Sequence, residues 1–189
     1  MKNIAIFASG SGTNAENLIR FFRTSKNGRV SLVLTNRADA GVIDRVQSLG
    51  VETIVFNREQ FYKSDEMLTL LFERGIDFVV LAGFLWLVPD SLLISFENKM
   101  VNIHPALLPK YGGKGMFGSR VHASVIDNRE SESGITIHYV NKEYDEGNIV
   151  FQARCEVKSD DTPETLAARI HQLEYEHFPM VVEKLLQEL

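Results

Sequence analysis

In Val101–Tyr111, VNIHPALLPKY, an amide and an imidazole stand two residues apart, at Asn102 and His104, before Pro105 and Pro109 end regular hydrogen bonding. Residues i and i+2 of a strand point the same way. Both groups would therefore leave a strand end on one face: an amide donor beside a side chain that exchanges protons near neutral pH. A strand-end histidine bonded to nearby backbone has the same pattern, and this stretch alone leaves both readings open.

A second candidate lies near the start. Ser9-Gly10-Ser11-Gly12-Thr13-Asn14 follows the apolar run Asn3–Ala8 and precedes a helical pattern of Ala15, Leu18, Ile19 and Phe22. Backbone N–H groups at such a helix start, with the Ser11 and Thr13 hydroxyls, suit a phosphate. The alternative is a capping box between Thr13 and Glu16. A nicotinamide dinucleotide usually calls for an acidic residue about 20 positions on, at the end of strand two. Thr35-Asn36-Arg37 stands there instead, so only an NADP-dependent reductase, with Arg37 on a 2′-phosphate, remains as a dinucleotide alternative.

These residues need a scaffold. Apolar runs at Asn3–Ala8, Val30–Leu34, Val51–Phe56 and Phe78–Ala82 alternate with helical segments at Ala15–Phe22, Gly41–Leu49 and Phe61–Arg74. This alternation predicts an α/β fold: a Rossmann-like open, mostly parallel sheet with helices on both faces. Ligands gather at the carboxyl ends of such strands, where the glycine loop and the His104 segment would both lie. Ile135–Val140 and Val150–Val157 alternate around Asp145-Glu146-Gly147-Asn148, predicting a C-terminal antiparallel hairpin extension. Thr162, Pro163 and Glu164 suit the start of a last helix with Leu166, Ile170 and Leu173 on its apolar stripe and a kink near Pro179. We expect one domain over 1–189, with a phosphate-binding half (1–100) and a catalytic half (101–189).

Composition narrows the classes. The 189 residues are 44% hydrophobic and 24% charged with a net charge of −5, which suits a globular chain and disfavours a nucleic-acid partner. Cys155 is the only cysteine, so no intrachain disulfide or multi-cysteine metal site can form, and a reducing compartment is the simpler expectation. No apolar stretch approaches the ~20 residues of a membrane helix. We expect a cytoplasmic protein, without metal or membrane partner, as a monomer or weak homodimer. His104, His122 and His138 have no metal-ligand spacing, so structural or orienting roles suit the latter two; His171 and His177 read as surface or packing residues. Asp145 by itself reads as a turn residue bonded to local backbone, and Lys110 and Lys114 as solvated loop charges.

Four motifs then occur in order: GSGTN at 10–14, VLAGFLWLVP at 80–89, VNIHPALLPKYGG at 101–113, and Asp-x-Gly-x-Ile at Asp145–Ile149. Together they resemble the folate-dependent formyltransferases, in particular the glycinamide ribonucleotide (phosphoribosylglycinamide) branch of purine synthesis, from the first strand to the last helix. Methionyl-tRNA formyltransferases carry an extra tRNA-binding domain, and formyltetrahydrofolate hydrolases an N-terminal regulatory domain. The resemblance implies transfer of the formyl group of 10-formyltetrahydrofolate to the amine of phosphoribosylglycinamide. It implies Asn102, His104 and Asp145 as the catalytic set, Ser11, Gly12, Thr13 and Asn14 at the substrate phosphate, and Glu174 at the glycinamide. The folate would meet Leu85, Trp86, Leu87, Val88, Asn102, Asn141, Glu143, Tyr144 and Asp145. Asn102 and a charged His104 would then donate to the oxyanion formed by amine attack, with Asp145 keeping the imidazole charged. Trp86 stands where many relatives carry a basic residue, no arginine lies near Ser64, and the loop Gly112–Gly118 is longer than usual. These departures leave the hold on the glutamate tail open.

Overall fold

A computed structural model describes all 189 residues. Seven strands form one sheet: β1 (Lys2–Phe7), β2 (Gly28–Thr35), β3 (Glu52–Val55), β4 (Phe78–Leu81), β5 (Met100–His104), β6 (Glu132–Tyr139) and β7 (Ile149–Glu156). Their spatial order is β3-β2-β1-β4-β5-β6-β7. Neighbours from β3 to β5 run parallel, while β6 and β7 run antiparallel. The expected mostly parallel sheet and its antiparallel extension are both present.

Side-chain alternation divides the core into two layers. Ile4, Ile6 and Ala8 of the first strand region join Phe78, Val80, Val101, Ile103, Ile135 and Ile137 on one face. Ala5, Phe7, Val79, Leu81 and Met100 lie on the other. A parallel sheet buried on both faces needs such continuous apolar runs. Four helices cover the first face: α1 (Thr13–Phe22), α2 (Val42–Gln47), α6 (Ser119–Asp127) and α7 (Pro163–Gln187). Three shorter ones cover the second: α3 (Arg58–Tyr62), α4 (Glu66–Glu73) and α5 (Asp90–Ser95).

Three local features bear on the expected elements. The predicted single helix over Phe61–Arg74 is two helices. Asn57 and Gln60 form a capping box that starts α3 early. Ser64 then turns its hydroxyl back onto the Gln60 carbonyl and accepts the Glu66 N–H, a competition with the helix ladder that short polar side chains favour. α5 lies in a stretch for which no helix was expected. Finally, α7 continues through Pro179. The proline lacks the N–H that would bond the Tyr175 carbonyl, and Asn17 Nδ2 of α1 donates to that carbonyl at 2.9 Å. The helix start itself is as expected, with Thr162 capping and Pro163 in the first turn.

Candidate active site

Strand alternation leaves Asn102 and His104 on the face opposite Val101 and Ile103. β6 pairs with β5 so that His138 lies directly opposite Asn102 and Thr136 opposite His104. Four polar side chains therefore share one face at the carboxyl end of β5. His138 Nδ1 donates to the Tyr139 carbonyl at 2.8 Å, which leaves Nε2 as an acceptor for Asn102 Nδ2 at 3.1 Å. His138 thus orients the amide.

Asp145 reaches this column from the loop joining β6 to β7, in left-handed backbone conformation at φ 58°. Gly147 allows the loop to close: a Cβ there would sit 1.6 Å from the Tyr139 carbonyl oxygen. Asp145 Oδ2 accepts the Gly113 N–H at 3.0 Å, and Oδ1 accepts from Asn102 Nδ2 at 3.3 Å. Its Oδ2 lies 3.4 Å from His104 Nδ1 and its Oδ1 3.6 Å from His138 Nε2. Burial works to raise the Asp145 pKa, but His138, His104 and the Gly113 N–H outweigh it and the carboxyl is held below its ordinary range.

His104 is buried, with 3% of its surface exposed. Its Nε2 donates to the Tyr111 carbonyl at 2.7 Å while Nδ1 faces Asp145. Both nitrogens meet acceptors, a geometry suited to imidazolium. Burial nevertheless dominates: it lowers the His104 pKa further than Asp145 and the Tyr111 carbonyl raise it. Burial thus opposes the charged ring that Asp145 and the Tyr111 carbonyl favour, and Asp145 is placed to stabilise that charge.

The glycine loop lies at the carboxyl end of β1, beside β4, where the strand order reverses. Gly12, at φ 77°, caps α1 without any side-chain bond to the first turn. The alternative capping box is therefore absent, and Glu16 instead pairs with Arg20 and Arg45. A side chain at Gly12 would strike Val42. Ser9 Oγ donates to Asn36 Oδ1 at 2.6 Å and accepts the Leu85 N–H at 3.1 Å, tying this loop to the ends of β2 and β4. Arg37 is held bidentately by Asp39, which occupies the cation a 2′-phosphate would need.

Behind the loop, Asn14 Nδ2 donates to Glu174 Oε2 at 2.9 Å, joining α1 to α7 across 160 residues. Glu174 is only 4% exposed, and His171 Nδ1 lies 2.8 Å from the same oxygen. That carboxylate draws the His171 pKa upward against partial burial.

Leu85, Trp86 and Leu87 follow β4, with Leu85 exposed and Trp86 half-buried. Arg58 stacks on the Trp86 ring at 4.8 Å, and Tyr62 donates its hydroxyl to the Leu87 carbonyl at 2.8 Å. Val88, next in the chain, is buried in the apolar layer under the sheet. Asn141, Glu143 and Tyr144 lie in the loop that carries Asp145, where Asn141 Oδ1 accepts the Glu143 N–H. Lys110 is an exposed loop charge, as expected, and pairs with Glu130 at 2.8 Å. A surface hollow of about 590 Å³ lined by Ile54, Phe56, Gln60, Glu66 and Met67 at the β3 edge shares none of these polar groups.

An amide, two imidazoles and a carboxylate beside an open helix start, all on the carboxyl edge of an α/β sheet, describe a group-transfer site. The family profile described as formyl transferase matches residues 2–182. Phosphoribosylglycinamide formyltransferase of Bacillus subtilis is 32% identical over 98% of this chain and 95% of its own length. The chloroplastic phosphoribosylglycinamide formyltransferase of Arabidopsis thaliana is 40% identical over 99% of this chain and 66% of its own length, so the chain spans about two thirds of that plant relative. The crystal structure of phosphoribosylglycinamide formyltransferase from Bacillus halodurans superposes with a TM-score of 0.87 at 36% identity, covering 99% of this chain and 96% of that one. The chain belongs to the formyl transferase family, and within it to the phosphoribosylglycinamide formyltransferase branch.

Proposed function

We propose that this protein transfers the formyl group of 10-formyltetrahydrofolate to the amine of 5′-phosphoribosylglycinamide in purine synthesis. The observation that carries the proposal is the convergence of the Asn102–His104–Asp145 column and the Asn14–Glu174 pair on one sheet edge. The uncapped N–H groups after Gly12, those of Thr13 and Asn14 included, receive the ribonucleotide phosphate together with the Ser11 and Thr13 hydroxyls. Glu174 receives the amine. The folate rests against Leu85–Leu87 and the Asn141–Asp145 loop, with Arg58 the nearby cation in a region where Trp86 supplies none.

The amine nitrogen attacks the formyl carbon, whose oxygen becomes an oxyanion. Asn102 releases its longer bond, the one to Asp145, and donates to that oxygen. A preorganised donor of this kind is worth roughly 10²–10³ in rate. As the new carbon–nitrogen bond forms, the attacking nitrogen gives up an N–H proton to His104, whose charge Asp145 stabilises, and that proton goes on to the folate nitrogen as its bond to the formyl carbon breaks. General acid catalysis of this type adds about 10²–10⁴.

The test is an absorbance assay for tetrahydrofolate with and without the ribonucleotide. Product only in its presence is the expected result. Product in both cases would make the protein a formyltetrahydrofolate hydrolase, and product in neither would overturn the proposal.

A further inference from the structure

One buried histidine has no part in these contacts. His122 of α6 is 3% exposed, and its Nδ1 is buried without a hydrogen-bond partner. Its Nε2 has no protein partner either. His104 and His138, equally buried, each have both ring nitrogens facing partners. Leaving a buried polar atom unpaired costs about 1–3 kcal/mol, so an unpaired imidazole beside a reaction site calls for a reason.

Its surroundings supply one. α6 packs on α7, and the titratable groups that act on His122 are His171 and Glu174 of α7 and His104 of β5. His122 is one of the buried residues of α6, and the helix that α6 packs against carries the His171–Glu174 pair. Asn14 contributes a second orphan: its Nδ2 is bonded to Glu174, but its Oδ1 is buried and unpaired. Glu174 receives both of its protein donors on Oε2, and Oε1 has none. An unpaired Asn14 oxygen thus lies on the amide bonded to the carboxylate to which we assign the amine, and an unpaired His122 nitrogen on the helix packed against the one that carries it.

Formyl transfer to an ammonium group releases two N–H protons. One reaches the folate nitrogen as the carbon–nitrogen bond to it breaks. The other must leave first, because only the free lone pair can form the new carbon–nitrogen bond. We propose that His122 is the base that takes this first proton, from a substrate ammonium held by Glu174 and Asn14 Oδ1. The N–H electron pair stays on the substrate nitrogen, which then attacks, and the His122 imidazolium later returns its proton to solvent. Burial and the neighbouring His171 press the ring toward the neutral form that a base requires, against the pull of Glu174. The inference rests on the amine-acceptor reading above.

The experiment measures kcat against pH for the wild type, His122→Gln and His122→Asn, using ribonucleotide-dependent tetrahydrofolate formation, with thermal unfolding to identify folded variants. The expected result is a loss of about 10²–10⁴ in kcat, with a far smaller change in the KM for the ribonucleotide. The wild-type fall in kcat on the acid side should flatten in the variants. A folded variant with near-normal kcat and an unmoved acid limb overturns the assignment, as does a wild type with no acid limb. A wild type lacking ribonucleotide-dependent product overturns the transfer reading as well, which separates the two failures.

Discussion

Replacing Asp145 with Asn isolates the electrostatic part of the site. The change removes one charge and almost no volume. In the wild type, Asp145 Oδ2 lies 3.4 Å from His104 Nδ1, with the two side chains 12% and 4% exposed. Unit charges at that separation interact by about 5 kcal/mol at an effective dielectric of about 20. Because burial favours the neutral ring, this attraction grows as the imidazolium forms. It therefore belongs to the transition state rather than to substrate binding. At about 1.4 kcal/mol per factor of ten, turnover should fall by about 10³ with little change in KM. Stability should fall too. One amide oxygen cannot accept from both the Gly113 N–H and Asn102 Nδ2, which now use separate oxygens. One donor is left facing an NH₂ group, at a cost of about 1–3 kcal/mol. In a chain of this length each kcal/mol corresponds to about 2–4 °C in Tm. The assays are steady-state tetrahydrofolate formation and thermal unfolding. Turnover within about tenfold of wild type, or a KM effect as large as the kcat effect, would refute the argument that Asp145 acts on a charge that forms during reaction.

Three further outcomes follow from the geometry. Gly147→Ala should depress kcat much as Asp145→Asn does, because its Cβ would meet the Tyr139 carbonyl and push the Asp145 loop outward; unaltered turnover in the same assay would show that the loop has another closed path. Asn17→Leu removes the donor to the carbonyl that Pro179 leaves free, and should lower Tm by about 2–4 °C for a loss near 1 kcal/mol, since water can partly replace the exposed bond. In acid, His104 and His122 both have depressed folded pKa values, so their contribution to stability is present above the unfolded value of about 6.5 and is lost as pH falls through the folded values. His171, raised by Glu174, contributes in the opposite sense: fully below about 6.5, and less as pH rises through its folded pKa. Tm should therefore decline below about pH 6.5, and less steeply in His122→Gln; a slope unchanged by that substitution would remove His122 from the explanation.

The features legible in the sequence are those carried by short periods and turn chemistry. Period-two alternation put Asn102 and His104 on one face. The Thr162-Pro163 pair marked the start of α7, and the glycine loop lay between an apolar run and a helical one. The rest depends on partners distant in sequence. Gly113 and Asp145 are 32 residues apart, Asn102 and His138 36, and Asn14 and Glu174 160. Alternation alone showed that His138 sits within a strand, but only the β5–β6 register put it opposite Asn102. The polar run Lys63–Glu66 interrupts the apolar pattern at the break between α3 and α4, where the Ser64 hydroxyl bonds the Gln60 carbonyl. The balance at His104 is hidden in the sequence: Asp145 stands in a separate motif, and the burial that opposes its pull is a property of the assembled core.

The two acid–imidazole pairs rest on different supports, and the difference bears on function. Glu174 and His171 are three residues apart on one long helix. That helix is pinned to α1 by Asn17 on the carbonyl freed by Pro179 and by Asn14 on Glu174 itself. Asp145 instead stands on a loop in left-handed conformation, fastened through the Gly113 N–H to a second, glycine-rich loop. Separating those loops would withdraw the carboxylate that stabilises a charged His104, while the carboxylate assigned to the amine stayed fixed on its helix. Changes in the Gly112–Gly118 loop should therefore act first on kcat and only weakly on ribonucleotide binding. Substitutions along the α1–α7 contact should act first on that binding.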